Sequence, residues 1–179
     1  MAQFRTHILP WQGATDDLAG LLWLVGSKCH HVPLPEDPAL KEILGEAALP
    51  QGEEETLIQH LEGTQAALNL DPSLSHRSLW SLHAANPNID ALIARFDQFH
   101  TLPGTEAYWL LDGEGIFGLM GPDGLQLEVH LTPGDCLLLP GSVQRYFYPT
   151  ATRRVKLLVH RAGDGAWAPV YCDGTPLPR

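Results

Sequence analysis

From about residue 99 to residue 162 the chain repeats one pattern: short apolar runs, each closed by glycine, proline or aspartate. The runs read "EAYWLLDGEG", "GIFGLMGPDG", "LQLEVHLTPGD", "CLLLPG", "VQRYFYP" and "RRVKLLVHRAGDG". They are too short for ordinary helices and are bounded by turn formers, so they read as strands. Successive short strands joined by tight turns restrict this stretch to a small antiparallel barrel or jelly roll. Asp112-Gly113 and Asp123-Gly124 read as hairpin turns.

The preceding part has a helical period. Over "TDDLAGLLWLVGSK", Thr15 is the expected N-cap and Leu18, Leu21, Leu22 and Val25 recur on one face. "DPALKEILGEAAL" opens with proline in its first turn. "EEETLIQHLEGTQAALNL" aligns Leu57, Leu61 and Leu68 and stops at Asp71-Pro72. "NPNIDALIARFDQF" carries Ile89, Leu92, Ile93 and Phe96 on one stripe, and "SHRSLWSLHA" fits a strand or a short helix. The expectation is one domain over 1–179: a mainly helical part at 1–95 packed on a barrel at 96–171, with a tail at 172–179.

Charge and cysteine content narrow the function classes. With 11 basic and 21 acidic residues the chain carries −10, which argues against nucleic acid and anionic membranes as partners. Cys29, Cys136 and Cys172 are odd in number and widely spaced. A reducing, cytoplasmic setting is expected. "MAQFRTHILPWQG" lacks the apolar core of a signal peptide, and "LAGLLWLVG" is too short to span a bilayer. "CHH" at 29–31 is read as a loop, because adjacent side chains rarely ligate one ion. Glu53–Glu55 reads as a helix N-terminus. Trp11, Trp23, Trp80, Trp109 and Trp167 read as packing anchors, and "GEG" at 113–115 as a turn with no phosphate role.

The spacing of polar residues inside the strand pattern is more specific. His100, Glu106 and Gly113 follow the first cupin motif, HxHx(3)Ex(6)G, and Gly134 to Pro140 follow the start of the second, Gx(5)PxGxxH. The segments "NIDALIARFDQFHT", "LDGEGIFGL", "PGDCLLLPGSVQRYF" and "GDGAWAPV", within residues 86–171, resemble one cupin family, the acireductone dioxygenases. The resemblance implies a mainly β cupin barrel with N-terminal α-helices. It also implies a dioxygenase acting on a small, polar, enolisable molecule, and an Fe²⁺ or Ni²⁺ ion held by three histidines and a glutamate. His100 and Glu106 match two of those ligands. Leu102 and Arg145 stand where the other two histidines belong, and Tyr108 stands where the family has a substrate-contacting arginine.

Leucine has no lone pair, and arginine keeps its proton and repels a divalent ion. His100 and Glu106 are thus a partial metal set, and the expected state is metal-free unless His160, His83 or Gln144 substitutes. Two metal-free readings remain open. In one, Arg145 pairs with Glu106 and plugs a dead site, giving a non-catalytic small-molecule-binding cupin. In the other, Arg145 binds a substrate oxyanion while His100, Glu106 or Tyr108 moves a proton, as in an isomerase, cyclase or lyase. Arg145 is expected to be the inward cation nearest Glu106. Lys156 and Arg153 sit at the start of the last strand, and Arg95 on the preceding helix.

Overall fold

The computed structural model describes residues 1–7, 9–13, 16–49, 52–163 and 168–178. The N-terminal part holds β1 (Gln3–Thr6), β2 (Gln12–Gly13), α1 (Asp16–Leu24), β3 (Lys28–His31), α2 (Pro38–Gly45), α3 (Glu53–Gln65), β4 (His76–Leu82) and α4 (Ile89–Phe96). It therefore supplies strands as well as helices. The rest is β5 (His100–Thr101), β6 (Glu106–Gly113), β7 (Gly115–Met120), β8 (Gln126–Leu131), β9 (Asp135–Leu139), β10 (Arg145–Pro149), β11 (Val155–Arg161) and β12 (Val170–Tyr171). All six expected strands are present, as β6 to β11. Thr15 and Trp167 lie outside the described residues.

Two antiparallel sheets face each other. One runs β12-β5-β10-β7-β8-β1-β2 and the other β3-β9-β6-β11-β4. Strand alternation sorts the side chains. Tyr108 and Leu110 of β6, Phe117 and Leu119 of β7, Phe147 of β10, and Leu157 and Val159 of β11 meet between the sheets. The opposite faces of β6 and β11 present Ala107, Trp109, Leu111 and Leu158 to Leu40, Leu44, Leu57 and Leu61 of α2 and α3. Asp37 caps α2 by accepting from the Ala39 N–H at 2.9 Å. At its other end, buried Lys156 donates to the carbonyls of Leu44 (2.8 Å) and Glu46 (2.6 Å) and to Asp112 (2.9 Å). Those bonds tie the helical layer to β11.

Three expectations are corrected. Asp123-Gly124 does join the paired strands β7 and β8, but Asp112-Gly113 is no hairpin: β6 and β7 belong to different sheets. Gly113 adopts φ +77, and a Cβ there would sit 1.8 Å from the Arg154 carbonyl oxygen. The dipeptide signals positive φ, here used at a corner between sheets. "CHH" is not a loop but β3, paired with β9 through His30↔Cys136 and His31↔Asp135. His31 Nδ1 lies 2.8 Å from Asp135 Oδ1, which gives a polar strand its anchor. The third helix ends at Gln65 and tightens into a 3₁₀ turn over Ala66–Leu68, before Asp71-Pro72 is reached. Asn69 then turns left-handed at φ 47 and stops it. "SHRSLWSLHA" resolves as strand β4. No helix among the described residues is long and apolar enough to cross a membrane.

Candidate functional site

The site forms where β5, β6, β10 and β11 approach one another. Arg145 is the register partner of His100, and Glu106 that of Arg161. Facing residues of antiparallel strands share a face, so these pairs bring together His100, Glu106 and Arg145. The loop after β5 docks on the loop before β10: Leu102 N–H donates to the Gly141 carbonyl at 3.1 Å. A Cβ on Gly141 would lie 2.5 Å from the Leu102 oxygen, so the close approach requires glycine.

Glu106 is buried and crowded with donors. The Tyr108 hydroxyl donates to its Oε2. Arg161 Nε lies 2.6 Å from its Oε1, and Arg145 Nη1 lies 3.8 Å from Oε2. Burial pushes the Glu106 carboxyl above its usual range, against the pull of the Tyr108 bond and the two guanidinium groups. Burial and the Glu106 charge drive the Tyr108 phenol far up. Arg145, 1 % exposed, donates from Nε to the Val143 carbonyl at 3.2 Å and from Nη2 to the Pro140 carbonyl. Among the described residues its Nη1 makes no hydrogen bond, although its charge acts on the neighbouring Tyr108 phenol. His100 donates from Nδ1 to the Gln98 carbonyl at 2.8 Å. Burial, with Arg145 nearby, holds its pKa below the ordinary value despite that bond.

Arg161 corrects the expectation that Arg145 is the cation nearest Glu106. Its signal was present: Val155, Leu157, Val159 and Arg161 alternate along β11, and the first three line the interior. Trp80 and Phe96 were also missed as neighbours of the site. Their rings lie 4.8 Å apart, with Trp80 6.5 Å from Tyr108 and Phe96 6.0 Å from His100. Tyr171 of β12 closes the other side, 6.3 Å from the His100 ring.

The proposed substitute ligands stand elsewhere. His160 pairs in register with Ala107, whose side chain belongs to the helical layer, on the opposite face from Glu106. His83 follows Leu82, which pairs with Val155 at the far end of β11 from Arg161, about 20 Å along the strand. Gln144 stands one residue before β10. Leu102 is buried without a donor atom. Among the described residues no group of three or more His, Cys, Asp or Glu is placed to hold a metal ion. One imidazole and one carboxylate already engaged by arginine do not fit a resident Fe²⁺ or Ni²⁺, which takes three or four protein donors in sites of this kind.

Comparison with known proteins identifies the family and the fold. The model of the ARD/ARD′ family matches residues 29–165. The acireductone dioxygenase of Microcystis aeruginosa is 33% identical over 138 residues, 77% of this chain and 75% of that protein. That of Leptospira biflexa is 32% identical over 135 residues, 75% of this chain and 76% of that one. A solved acireductone dioxygenase from Bacillus anthracis, with a cadmium ion in its active centre, superposes with a TM-score of 0.83. It covers 96% of this chain and 98% of its own at 24% identity, a likeness that establishes the cupin fold.

Proposed function

We infer the function from a premise the matches establish: this chain belongs to the ARD/ARD′ family. We propose that it is a divergent acireductone dioxygenase-like cupin. It handles a small, polar, enolisable molecule and does so without a resident Fe²⁺ or Ni²⁺. The observation that carries this reading is the state of Glu106. It is held by the Arg161 guanidinium at 2.6 Å and the Tyr108 hydroxyl, with Arg145 3.8 Å away at the position where the motif resemblance implies a histidine.

The roles follow from which atoms are committed. Glu106 Oε2 accepts from the Tyr108 hydroxyl and Oε1 is ion-paired with Arg161, so these two residues position the site. His100, with Nδ1–H fixed on a carbonyl, keeps Nε2 to take or return a proton. Arg145 Nη1 is the donor for a developing oxyanion. Such a pair supports proton transfer next to a carbonyl, the step shared by isomerases and lyases of enolisable substrates. The binding-only reading is favoured by the same pairing of Glu106, which leaves it unavailable as a base.

The test is solvent deuterium exchange at the carbon next to the carbonyl of an acireductone analogue, followed by NMR, with metal content measured on the same sample. Exchange should persist after chelator treatment and disappear in His100→Ala. Turnover seen only with stoichiometric Fe²⁺ or Ni²⁺ would refute the proposal. Ligand binding without any exchange would assign the chain to the binding-only class.

A further inference from the structure

Resting on that reading and deepening it, we infer that the ligand of this site is a small α-hydroxy monocarboxylate, or the enol form of an α-keto one. Arg145 Nη1 holds its carboxylate and His100 Nε2 accepts from its adjacent hydroxyl.

Arg145 carries a permanent charge and five N–H donors. Nε and Nη2 are committed to the carbonyls of Val143 and Pro140. Nη1 is buried and, among the described residues, makes no hydrogen bond. The nearest carboxylate oxygen, Glu106 Oε2, is 3.8 Å away and already accepts from Tyr108, while Oε1 faces Arg161 at 2.6 Å. Glu106 offsets part of the charge from 3.8 Å but makes no hydrogen bond to Nη1, so the donor on this buried cation selects an anionic oxygen. Nε and one N–H of Nη2 face backbone carbonyls, so a ligand oxygen is met from the Nη1 side of the guanidinium.

The second contact fixes the rest of the ligand. His100 faces Arg145 across the strands, where paired side chains lie about 5 Å apart at Cβ. Its Nδ1–H is spent on Gln98, so in the neutral ring Nε2 is an acceptor. A cationic donor beside a neutral acceptor calls for an anionic oxygen and an O–H on neighbouring atoms. An α-hydroxy carboxylate has both. A plain carboxylate lacks the O–H, and a neutral ketol lacks the charge. Tyr108, Phe117 and Phe147, in ring contact at 4.7 and 4.8 Å, fill the adjoining interior and limit the ligand to a few carbons.

The test is calorimetric titration of the full chain at pH 8, where imidazole is neutral, with sodium glycolate, sodium acetate and dihydroxyacetone. Each titration is run before and after EDTA treatment. Glycolate should bind at least tenfold more tightly than either of the others, and EDTA should not change this. Arg145→Lys should weaken glycolate binding about tenfold, and Arg145→Met should abolish it. His100→Ala should reduce glycolate to the affinity of acetate. If Arg145→Met does not fold, as judged by circular dichroism, the Lys and His100→Ala variants decide. Equal affinities for glycolate and acetate, a glycolate preference that survives His100→Ala, or no heat from any probe at tens of millimolar would overturn this inference and leave the metal-free reading standing. Glycolate binding that requires added Fe²⁺ or Ni²⁺ would overturn both.

Discussion

Glu106 and Glu128 are both buried carboxylates that meet tyrosine and arginine, and they differ in how the accounts close. Glu106 belongs to the five-stranded sheet and Glu128, on β8, to the seven-stranded one. Tyr146 and Tyr148 donate to its Oε1 at 2.6 and 3.0 Å, and Arg5 pairs with its Oε2. One negative charge meets one cation and two neutral donors, and the cluster needs nothing further. Glu106 has one phenol and two guanidinium groups within reach, and Arg145 Nη1 makes no hydrogen bond among the described residues. A closed cluster holds a fold together, whereas one with a buried donor left over has capacity for a ligand.

The largest change should come from converting the open cluster back into a metal site. Leu102→His with Arg145→His supplies the three histidines and one glutamate that the motif resemblance implies, but Arg161 still occupies Glu106. Adding Arg161→Leu should release the carboxylate and raise Ni²⁺ affinity at least a further tenfold over the double variant, measured by competition with a chelating dye. No difference between the double and triple variants would mean that Arg161 does not control Glu106.

Next come the two arginines on one carboxylate. Arg161→Met leaves Glu106 with a phenol and a guanidinium 3.8 Å away, so it should cost about 3 kcal/mol in urea unfolding. Adding Glu106→Gln should recover at least half of that. Arg145→Met removes a cation whose charge is poorly compensated and should cost much less. Equal costs for the two arginines would erase the asymmetry on which the ligand argument rests.

These contrasts also show what the sequence disclosed. Motif spacing exposed His100, Glu106, Leu102 and Arg145 because cupin ligands sit at fixed offsets on strands whose alternation is strict. Arg161 lies outside both motifs and reaches the site only through the pairing of β11 with β6, a long-range register that local pattern does not encode. The same limit explains Asp112-Gly113: the dipeptide specifies a backbone angle, while the partner of the next strand is set by the whole sandwich. For "KCHH" no alternation existed to read, and its strand state comes from pairing with β9.

At the closed cluster the effects should be smaller and additive with those at Glu106. Tyr146→Phe removes the shorter bond to a buried charge and should cost about 2 kcal/mol. Tyr148→Phe should cost about 1 kcal/mol. Combining either with Arg161→Met should give the sum of the single effects, because Glu128 and its tyrosines belong to the seven-stranded sheet and Glu106 and Arg161 to the five-stranded one. Coupling above about 0.5 kcal/mol would show that the packed sheets transmit strain between them.

The smallest effect is a difference in titration. Burial and the Glu128 charge push the Tyr148 phenol up to about 12, while Tyr108, enclosed beside Glu106, goes higher. Both hydroxyls donate to a carboxylate, and ionising either would set two negative charges against each other. In the unfolded chain both titrate near 10. Between pH 10 and 12 the unfolded state therefore gives up these protons first. Stability is fully present below about pH 10 and falls as pH rises toward the folded values. Absorbance at 295 nm should show a step near pH 12 that Tyr148→Phe removes and Tyr108→Phe leaves in place. A step near 12 that instead vanishes in Tyr108→Phe would place the more accessible phenol beside Glu106, and the open cluster would then be the wetter of the two.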